Sequence, residues 1–288
     1  MKLFELLEAA YTDDLGWDIC PDLTMRERRA WKKMLRRFRK VFSGPEERLG
    51  KVGSKFEMDI DADPKAIKSQ QPYRTSPRKR KLINDAVAKL KALDVIEPST
   101  SEVASPVITV IQKGKPRFCM DLRQVNSKTV ADRYALPKQD SIFRALTGAI
   151  YFSIIDANRG YHQFGLTKWG RRFTAFVTED GFWQFNKIPF GLKNAPSHFQ
   201  RAIDTILGGY RYEFALAFID DIVIYSKALG EHLLHVSLVL EALEKVGMTV
   251  SEKKCHFSYQ SVELLGRRVN RLGLSTQKEK VKAIMELP

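Results

Sequence analysis

Two adjacent carboxylates, Asp220 and Asp221, stand between apolar runs in Phe214-Ala215-Leu216-Ala217-Phe218-Ile219-Asp220-Asp221-Ile222-Val223-Ile224-Tyr225. Apolar residues on both sides predict two buried strands, and aspartate rarely enters a core without a partner. A solvated turn with an aspartate at each tip position explains a bare Asp-Asp pair. A second segment of the same design weighs against that reading. Ile150-Tyr151-Phe152-Ser153-Ile154-Ile155 is an apolar strand ending in Asp156, followed by Asn158-Arg159-Gly160. If these strands are neighbours, three carboxylates converge at one sheet edge, and each pair ~4 Å apart repels by roughly 4 kcal/mol at an effective dielectric near ~20. Divalent cations with oxygen ligands relieve that repulsion, Mg²⁺ being the usual one where phosphates complete its shell. Two such ions activate an attacking hydroxyl and stabilise a leaving pyrophosphate, so the cluster points to phosphoryl transfer. Tyr11-Thr12-Asp13-Asp14 repeats the pattern, but Leu15-Gly16-Trp17-Asp18 follows and no apolar strand surrounds it. It reads as an exposed helix end or turn.

The chain that must position these groups carries 48 Lys and Arg against 34 Asp and Glu, a formal net charge of +14. Such a surplus predicts a polyanionic partner, nucleic acid first; a generally basic globular protein is the alternative. The 44% hydrophobic and 28% charged composition excludes wholesale disorder. No stretch approaches the ~20 uncharged apolar residues of a membrane span, and the start lacks the apolar region of a signal peptide. No membrane partner is expected, and the chain is placed inside the cell. Cys20, Cys119 and Cys255 are odd in number, widely spaced and without a CxxC, which excludes a disulfide scaffold. At 288 residues, two or more lobes are expected.

Thr24-Met25-Arg26-Glu27 has capping-box spacing and predicts a helix with Trp31, Leu35, Phe38 and Phe42 on one face. The other face is crowded with cations from Arg26 to Lys40. Like charges at i,i+4 repel, so this helix needs packing or a polyanion to hold it. Ser76-Pro77 opens a second helix with Leu82, Ile83, Ala86, Val87 and Leu90 as its stripe. Val107–Gln112 and Arg117–Met120 flank Lys113-Gly114-Lys115 as one hairpin. Phe173–Val177 and Phe182–Phe185 form another, with Gly181 available for a left-handed position. Helices are predicted over 196–207 and 231–246, and Thr276-Gln277-Lys278-Glu279 is a second capping box. Mixed strands and helices without strict alternation indicate an α+β fold.

A family resemblance rests on several of these segments in series. Phe218-Ile219-Asp220-Asp221 resembles the Asp-Asp hairpin of reverse transcriptases, and Ser153–Asp156 with Gly160-Tyr161-His162-Gln163 resembles the strand bearing their first catalytic aspartate. Ala104-Ser105-Pro106-Val107, Met120–Asn126, Pro189-Phe190-Gly191-Leu192-Lys193-Asn194-Ala195-Pro196 with Phe199-Gln200, and Leu264-Leu265-Gly266 are similar to the Ty3/gypsy long-terminal-repeat retrotransposon group. They run in family order from about Tyr73 to the C-terminus. The resemblance implies right-hand polymerase fingers and palm, an antiparallel sheet with packed helices, after a basic N-terminal helical extension. It implies an extension and linker over 1–70, fingers over 71–130 and 163–194, palm over 131–162 and 195–274, and the start of a truncated thumb over 275–288. Without a thumb, weak template-primer binding and poor processivity are expected.

The resemblance also implies roles. Asp156 and Asp220 would be the main metal ligands and Asp221 the third carboxylate, holding two Mg²⁺, with Mn²⁺ able to replace it. Tyr161 would exclude a ribose 2′-hydroxyl, Lys113 and Arg117 would grip the incoming triphosphate, and Phe190 and Gly191 would line the nucleotide pocket. Leu265 and Gly266 would help position the primer end. Partners would be an RNA or DNA template with primer, and deoxynucleoside triphosphates; the setting would be cytoplasm, nucleus or a virus-like particle. Ala157-Asn158-Arg159 replaces the usual leucine-arginine-serine, and Gly266-Arg267 replaces glycine-histidine; neither removes a metal ligand. A zinc site from His232, His235, Cys255 and His256 suits no common finger spacing, and His162 and His198 are assigned no chemistry. The alternative function is a truncated or domesticated remnant that binds nucleic acid and catalyses nothing.

Overall fold

A computed structural model describes residues 16–112 and 115–276. In chain order its strands are β1 (Asp18–Ile19), β2 (Ile96–Pro98), β3 (Ser105–Gln112), β4 (Lys115–Met120), β5 (Tyr151–Asp156), β6 (Phe176–Thr178) and β7 (Gly181–Phe185). They continue with β8 (Ala215–Phe218), β9 (Asp221–Ser226), β10 (His256–Tyr259), β11 (Ser261–Leu264), β12 (Arg267–Asn270) and β13 (Gly273–Thr276). The helices are α1 (Met25–Arg37), α2 (Pro77–Ala92), α3 (Arg123–Lys128), α4 (Gln139–Ala145), α5 (Lys168–Arg171), α6 (Ala195–Leu207) and α7 (Leu229–Lys245).

The chain forms two compact units. Of the described residues, one takes 16–50, Leu136–Asn158 and 203–276; the other takes those within Lys51–Ala135 and Arg159–Ala202. Within the stretch expected as extension and linker, the described residues divide between the two units after Gly50. Beyond that point Val52 N donates to Gln163 O at 3.1 Å and Met58 N to Gly165 O at 2.9 Å, which ties this segment to the second unit. The later borders between the units fall after Ala135, Asn158 and Ala202.

The first unit is built on a five-stranded sheet of order β1-β10-β5-β9-β8, with β1 parallel to β10 and the other neighbours antiparallel. Strand alternation sorts its faces. Phe152, Ile154, Leu216, Val223 and Tyr225 join Ile142 and Phe143 of α4 and Val262, Leu264 and Val269 of the β11-β12-β13 sheet in one core. On the opposite face the Ser153 and Ser226 hydroxyls each lie 2.8 Å from a ring nitrogen of His232 on α7. Burial drives His232 down to about 3, so it stays neutral in the core.

Helix α1 packs on that same side, its Trp31 ring 5.7 Å from His232 and 6.0 Å from Phe257. Trp31, Leu35, Phe38 and Phe42 are all buried. The helix itself ends at Arg37, so Phe38 caps it and Phe42 follows a 3₁₀ turn over Arg39–Val41. The capping box forms: Glu27 N donates to Thr24 Oγ1 at 3.3 Å and Thr24 N to Glu27 Oε2 at 2.8 Å. Thr24→Ala should lower the unfolding free energy by ~1 kcal/mol in urea titrations, with the m-value unchanged.

The second unit holds a sheet of order β2-β7-β6-β3-β4. β3 and β4 pair from Val107↔Met120 to Gln112↔Lys115, and Ile83 and Val87 form the buried stripe of α2. The β6–β7 hairpin begins at Phe176, because Phe173 lies in a 3₁₀ turn. Gly181 is not left-handed; an added Cβ would stand 2.8 Å from Trp183 Nε1, so close approach accounts for the glycine. Asp13-Asp14, Lys113 and the residues of the second capping box from Gln277 on lie outside the described residues.

Candidate active site

Asp156 closes β5 and Asp221 opens β9, where the two are direct cross-strand partners. Such partners share a face, with Cβ atoms ~4.5–5.5 Å apart. Asp220 sits in the two-residue turn Ile219-Asp220 that joins β8 to β9. Ile219 has φ +54°, a conformation a β-branched residue adopts only where its surroundings impose it. Here both flanking strands are locked by core residues on either face.

The solvated-tip reading of Asp220 does not hold, since its Oδ1 is buried with no hydrogen-bond partner. Burial, then the charges of Asp156 and Asp221, push the Asp220 carboxyl up to about 6. Burial and the charge of Asp156 raise Asp221, and burial raises Asp156 against the opposing pull of Lys254. Lys254 Nζ lies 3.1 Å and 3.3 Å from the two Asp156 carboxylate oxygens. Sequence reasoning missed this lysine: Lys253-Lys254 reads as a solvated turn. The signal is tertiary, because Ser251 N donates to Asp156 O at 3.0 Å and brings the turn to the end of β5.

With Asp156 turned onto Lys254, no three Asp, Glu, His or Cys side chains among the described residues already converge as a metal site. The donor set nonetheless fits a divalent cation. It offers hard carboxylate oxygens on one sheet edge, an orphaned Asp220 oxygen, and mutual repulsion that positive charge would relieve.

Leu265 and Gly266 form the β11–β12 turn, at φ +52° and +74°. Leu265 packs against the core that holds Phe152 and Val223, on the sheet face of Asp156 and Asp221.

In the second unit, Tyr161 lies in a 3₁₀ turn, Gly160–Gln163, that Arg159 opens at φ +48°. Its buried ring stands edge-on to Phe190 and Phe199, centroids 5.4 Å and 5.3 Å away, while Phe190 is 57% exposed. Gly191, at φ +97°, accepts from Asn126 Nδ2 at 2.8 Å. Asn126 Oδ1 accepts from Lys193 N at 2.8 Å, and Lys193 Nζ donates to Thr129 O at 3.0 Å. The Met120–Asn126 and Pro189–Pro196 motifs therefore hold one another in place. Asp121 anchors the first of them: the Arg123 guanidinium grips it at 2.7 and 2.8 Å and holds its carboxyl near about 2. Arg117 is exposed on β4 opposite Val110.

The histidines and Cys255 have structural partners or are core. His235 stacks on Phe214 at 3.8 Å, His256 pairs with Asp18, and Cys255 is fully buried. His162 and His198 bond to the carbonyls of Ile188 and Phe56.

The reverse transcriptase (RNA-dependent DNA polymerase) family profile matches residues 80–284. The Pol polyprotein of transposon gypsy from Drosophila melanogaster is 33% identical over 286 residues, covering 96% of this chain and 27% of the relative. That of transposon opus, also from Drosophila melanogaster, is 32% identical over 262 residues, 88% of this chain and 26% of the relative. The chain thus spans about a quarter of the length of these relatives. Among solved structures, a foamy viral protease-reverse transcriptase in complex with an RNA/DNA hybrid superposes with a TM-score of 0.84. It is 21% identical and covers 98% of this chain and 38% of its own, so it speaks for the fold alone. The same protein with double-stranded DNA gives 0.80 at 23% identity, covering 93% of this chain and 56% of its own. A family profile over most of the chain and relatives at a third identity make this chain a member of the reverse transcriptase family, on its Ty3/gypsy retrotransposon branch.

Proposed function

We propose that this chain is the fingers-and-palm part of a retrotransposon Pol protein and catalyses RNA-directed DNA synthesis. The primer 3′-hydroxyl attacks the α-phosphate of a deoxynucleoside triphosphate on an RNA or DNA template and pyrophosphate leaves. The observation that carries this reading is the Asp156↔Asp221 register beside the buried, orphaned Asp220 oxygen. Two divalent cations held by these carboxylates, Mg²⁺ or Mn²⁺, would activate the attacking hydroxyl and stabilise the leaving pyrophosphate. The palm unit's part is to fix the carboxylates on two core-locked strands and to seat the primer end beside Leu265 and Gly266. The fingers unit's part is to grip the triphosphate through Lys113 and Arg117, to line the base and sugar with Phe190 and Gly191, and to exclude a 2′-hydroxyl with Tyr161.

The test is primer extension on an RNA template with deoxynucleotides and Mg²⁺. Templated product that vanishes on chelation is expected. Template-primer binding without any extension in Mg²⁺ or Mn²⁺ would favour the non-catalytic remnant instead.

Lys254 supplies a second expected outcome. It competes with a cation for Asp156 and adds positive charge beside it, so both effects oppose cation binding. Lys254→Met should tighten Mn²⁺ binding ~10-fold, read by calorimetry on the protein without nucleotide.

A further inference from the structure

The cations of α1 take no part in the polymerase reading, and the fold gives them a place of their own. Where α1 ends, an open cavity of about 670 Å³ is walled by Arg36, Arg37, Arg39, Lys40 and Arg48. Its two carboxylates, Glu46 and Glu244, leave a formal surplus of three positive charges (5 − 2). The wall is preorganised. Buried Glu252 accepts from Ser43 Oγ at 3.1 Å and Gly44 N at 3.2 Å, Ser43 N donates to Val250 O at 2.9 Å, and Arg48 Nη2 donates to Phe42 O at 3.3 Å. Gly44 takes φ +73°, which lets the loop turn back under the cavity.

Its position separates it from the carboxylates. Asp156 shares the parity of Phe152 and Ile154, which face α4 and the three-stranded sheet. Ser153, of opposite parity, faces α7 through His232, and Trp31 of α1 packs against His232. Glu244 of α7 lines the cavity. The cationic recess is therefore on the other side of the palm sheet from Asp156 and Asp221.

From the end of the cavity the charge continues along α1. Arg26, Arg29, Lys33 and Arg37 are exposed at three- and four-residue steps, which set successive side chains ~5–6 Å apart on one helix face. A row of cations leading into a recess matches a flexible chain of regularly spaced phosphates, whereas a lone anion would engage the recess only. Arg37 and Arg39 present exposed guanidinium groups to this wall, a form that suits bidentate phosphate contacts.

We propose that the α1 face and its cavity form a second nucleic-acid site that takes the phosphodiester backbone of a single strand. It holds a strand away from Asp156 and Asp221, on the reverse of the sheet that carries them. This site follows from charge and placement alone, independently of whether the chain polymerises.

The experiment titrates the whole chain, in buffer without divalent cation, with an unprimed fluorescent RNA strand, the matching DNA strand, and inorganic tripolyphosphate. The triple variant R37E/R39E/K40E should weaken binding of both strands at least ~10-fold at low salt. It should also reduce the slope of log K against log salt by about 2, since each phosphate neutralised on a single strand contributes ~0.7. R37Q/R39Q/K40Q should give an intermediate loss with an unchanged thermal midpoint, which separates charge from folding. R78E/K79E/K81E on α2 makes the same change in net charge and should weaken binding less. An equal loss in that control would overturn the proposal, as would unchanged strand affinity in R37E/R39E/K40E. A loss confined to tripolyphosphate would overturn it too, leaving a site for small anions only.

Discussion

Asp220→Asn should abolish primer extension, lowering the rate by at least ~10³-fold, while raising the melting temperature of the cation-free protein. The two effects have one origin. Asp220 is held at about 6 by burial and by the charges of Asp156 and Asp221, so its ionised form opposes folding at neutral pH. The distance from an ordinary carboxyl corresponds to ~3 kcal/mol unscreened, and to ~1 kcal/mol once solvent access to the turn is allowed for. That predicts a gain of ~2–4 °C. Because the folded pKa is raised, the contribution of Asp220 to wild-type stability falls as pH rises from about 4 through about 6. The advantage of the variant should therefore be complete above that window and absent below it. Activity depends on the same charge with the opposite sign: asparagine has no anionic oxygen to draw a cation to the strand ends. Thermal scans from pH ~4 to ~8, with and without Mn²⁺, check the account. Added Mn²⁺ should stabilise the wild type and leave Asp220→Asn nearly unmoved. A variant that keeps extending primers, or that melts lower at the alkaline end of the scan, removes the carboxylate cluster from the mechanism.

Tyr161→Val should raise incorporation of ribonucleotides relative to deoxynucleotides by ~10²-fold, with a smaller loss in deoxynucleotide kcat/KM. The ring is held edge-on between Phe190 and Phe199, so it presents a fixed wall rather than a mobile side chain. Exclusion is then steric, and Tyr161→Phe, which keeps the wall and drops the hydroxyl, should retain discrimination. Single-nucleotide incorporation with matched ribo- and deoxynucleoside triphosphates measures both. If Phe and Val behave alike, the hydroxyl rather than the ring performs the selection. The valine variant also leaves a void against Phe199, so a stability loss of a few kcal/mol should accompany it and serves as a check on packing.

The strands that carry the carboxylates were legible because each is an apolar run broken at its end by a charge. Once β5 and β9 are neighbours, the register that sets Asp156 opposite Asp221 puts both on one face. The stripe Trp31-Leu35 and the capping box at Thr24 were legible for the same reason, since helical period and cap chemistry are local. Other features lie beyond local pattern. Lys254 meets Asp156 across 98 residues of chain, and nothing in Glu252-Lys253-Lys254 distinguishes it from a solvated turn. β1 has two residues, too few for any period, and its parallel pairing with β10 is purely tertiary. Gly181 reads as a turn glycine in sequence, whereas its reason is the indole of Trp183 two residues on. The division of the stretch 1–70 at Gly50 follows from which loops its backbone amides reach, a matter of hydrogen bonds rather than composition.

The parallel seam between β1 and β10 bears on where this chain can be cut for expression. A fragment begun at residue 80, where the family profile starts, would lack Asp18–Ile19 and leave β10 as a bare sheet margin able to pair with other molecules. It would also uncover the aromatic floor on which Trp31 and Phe42 rest. Such a fragment should come out of cells insoluble, whereas one begun ahead of Gly16 should stay monodisperse.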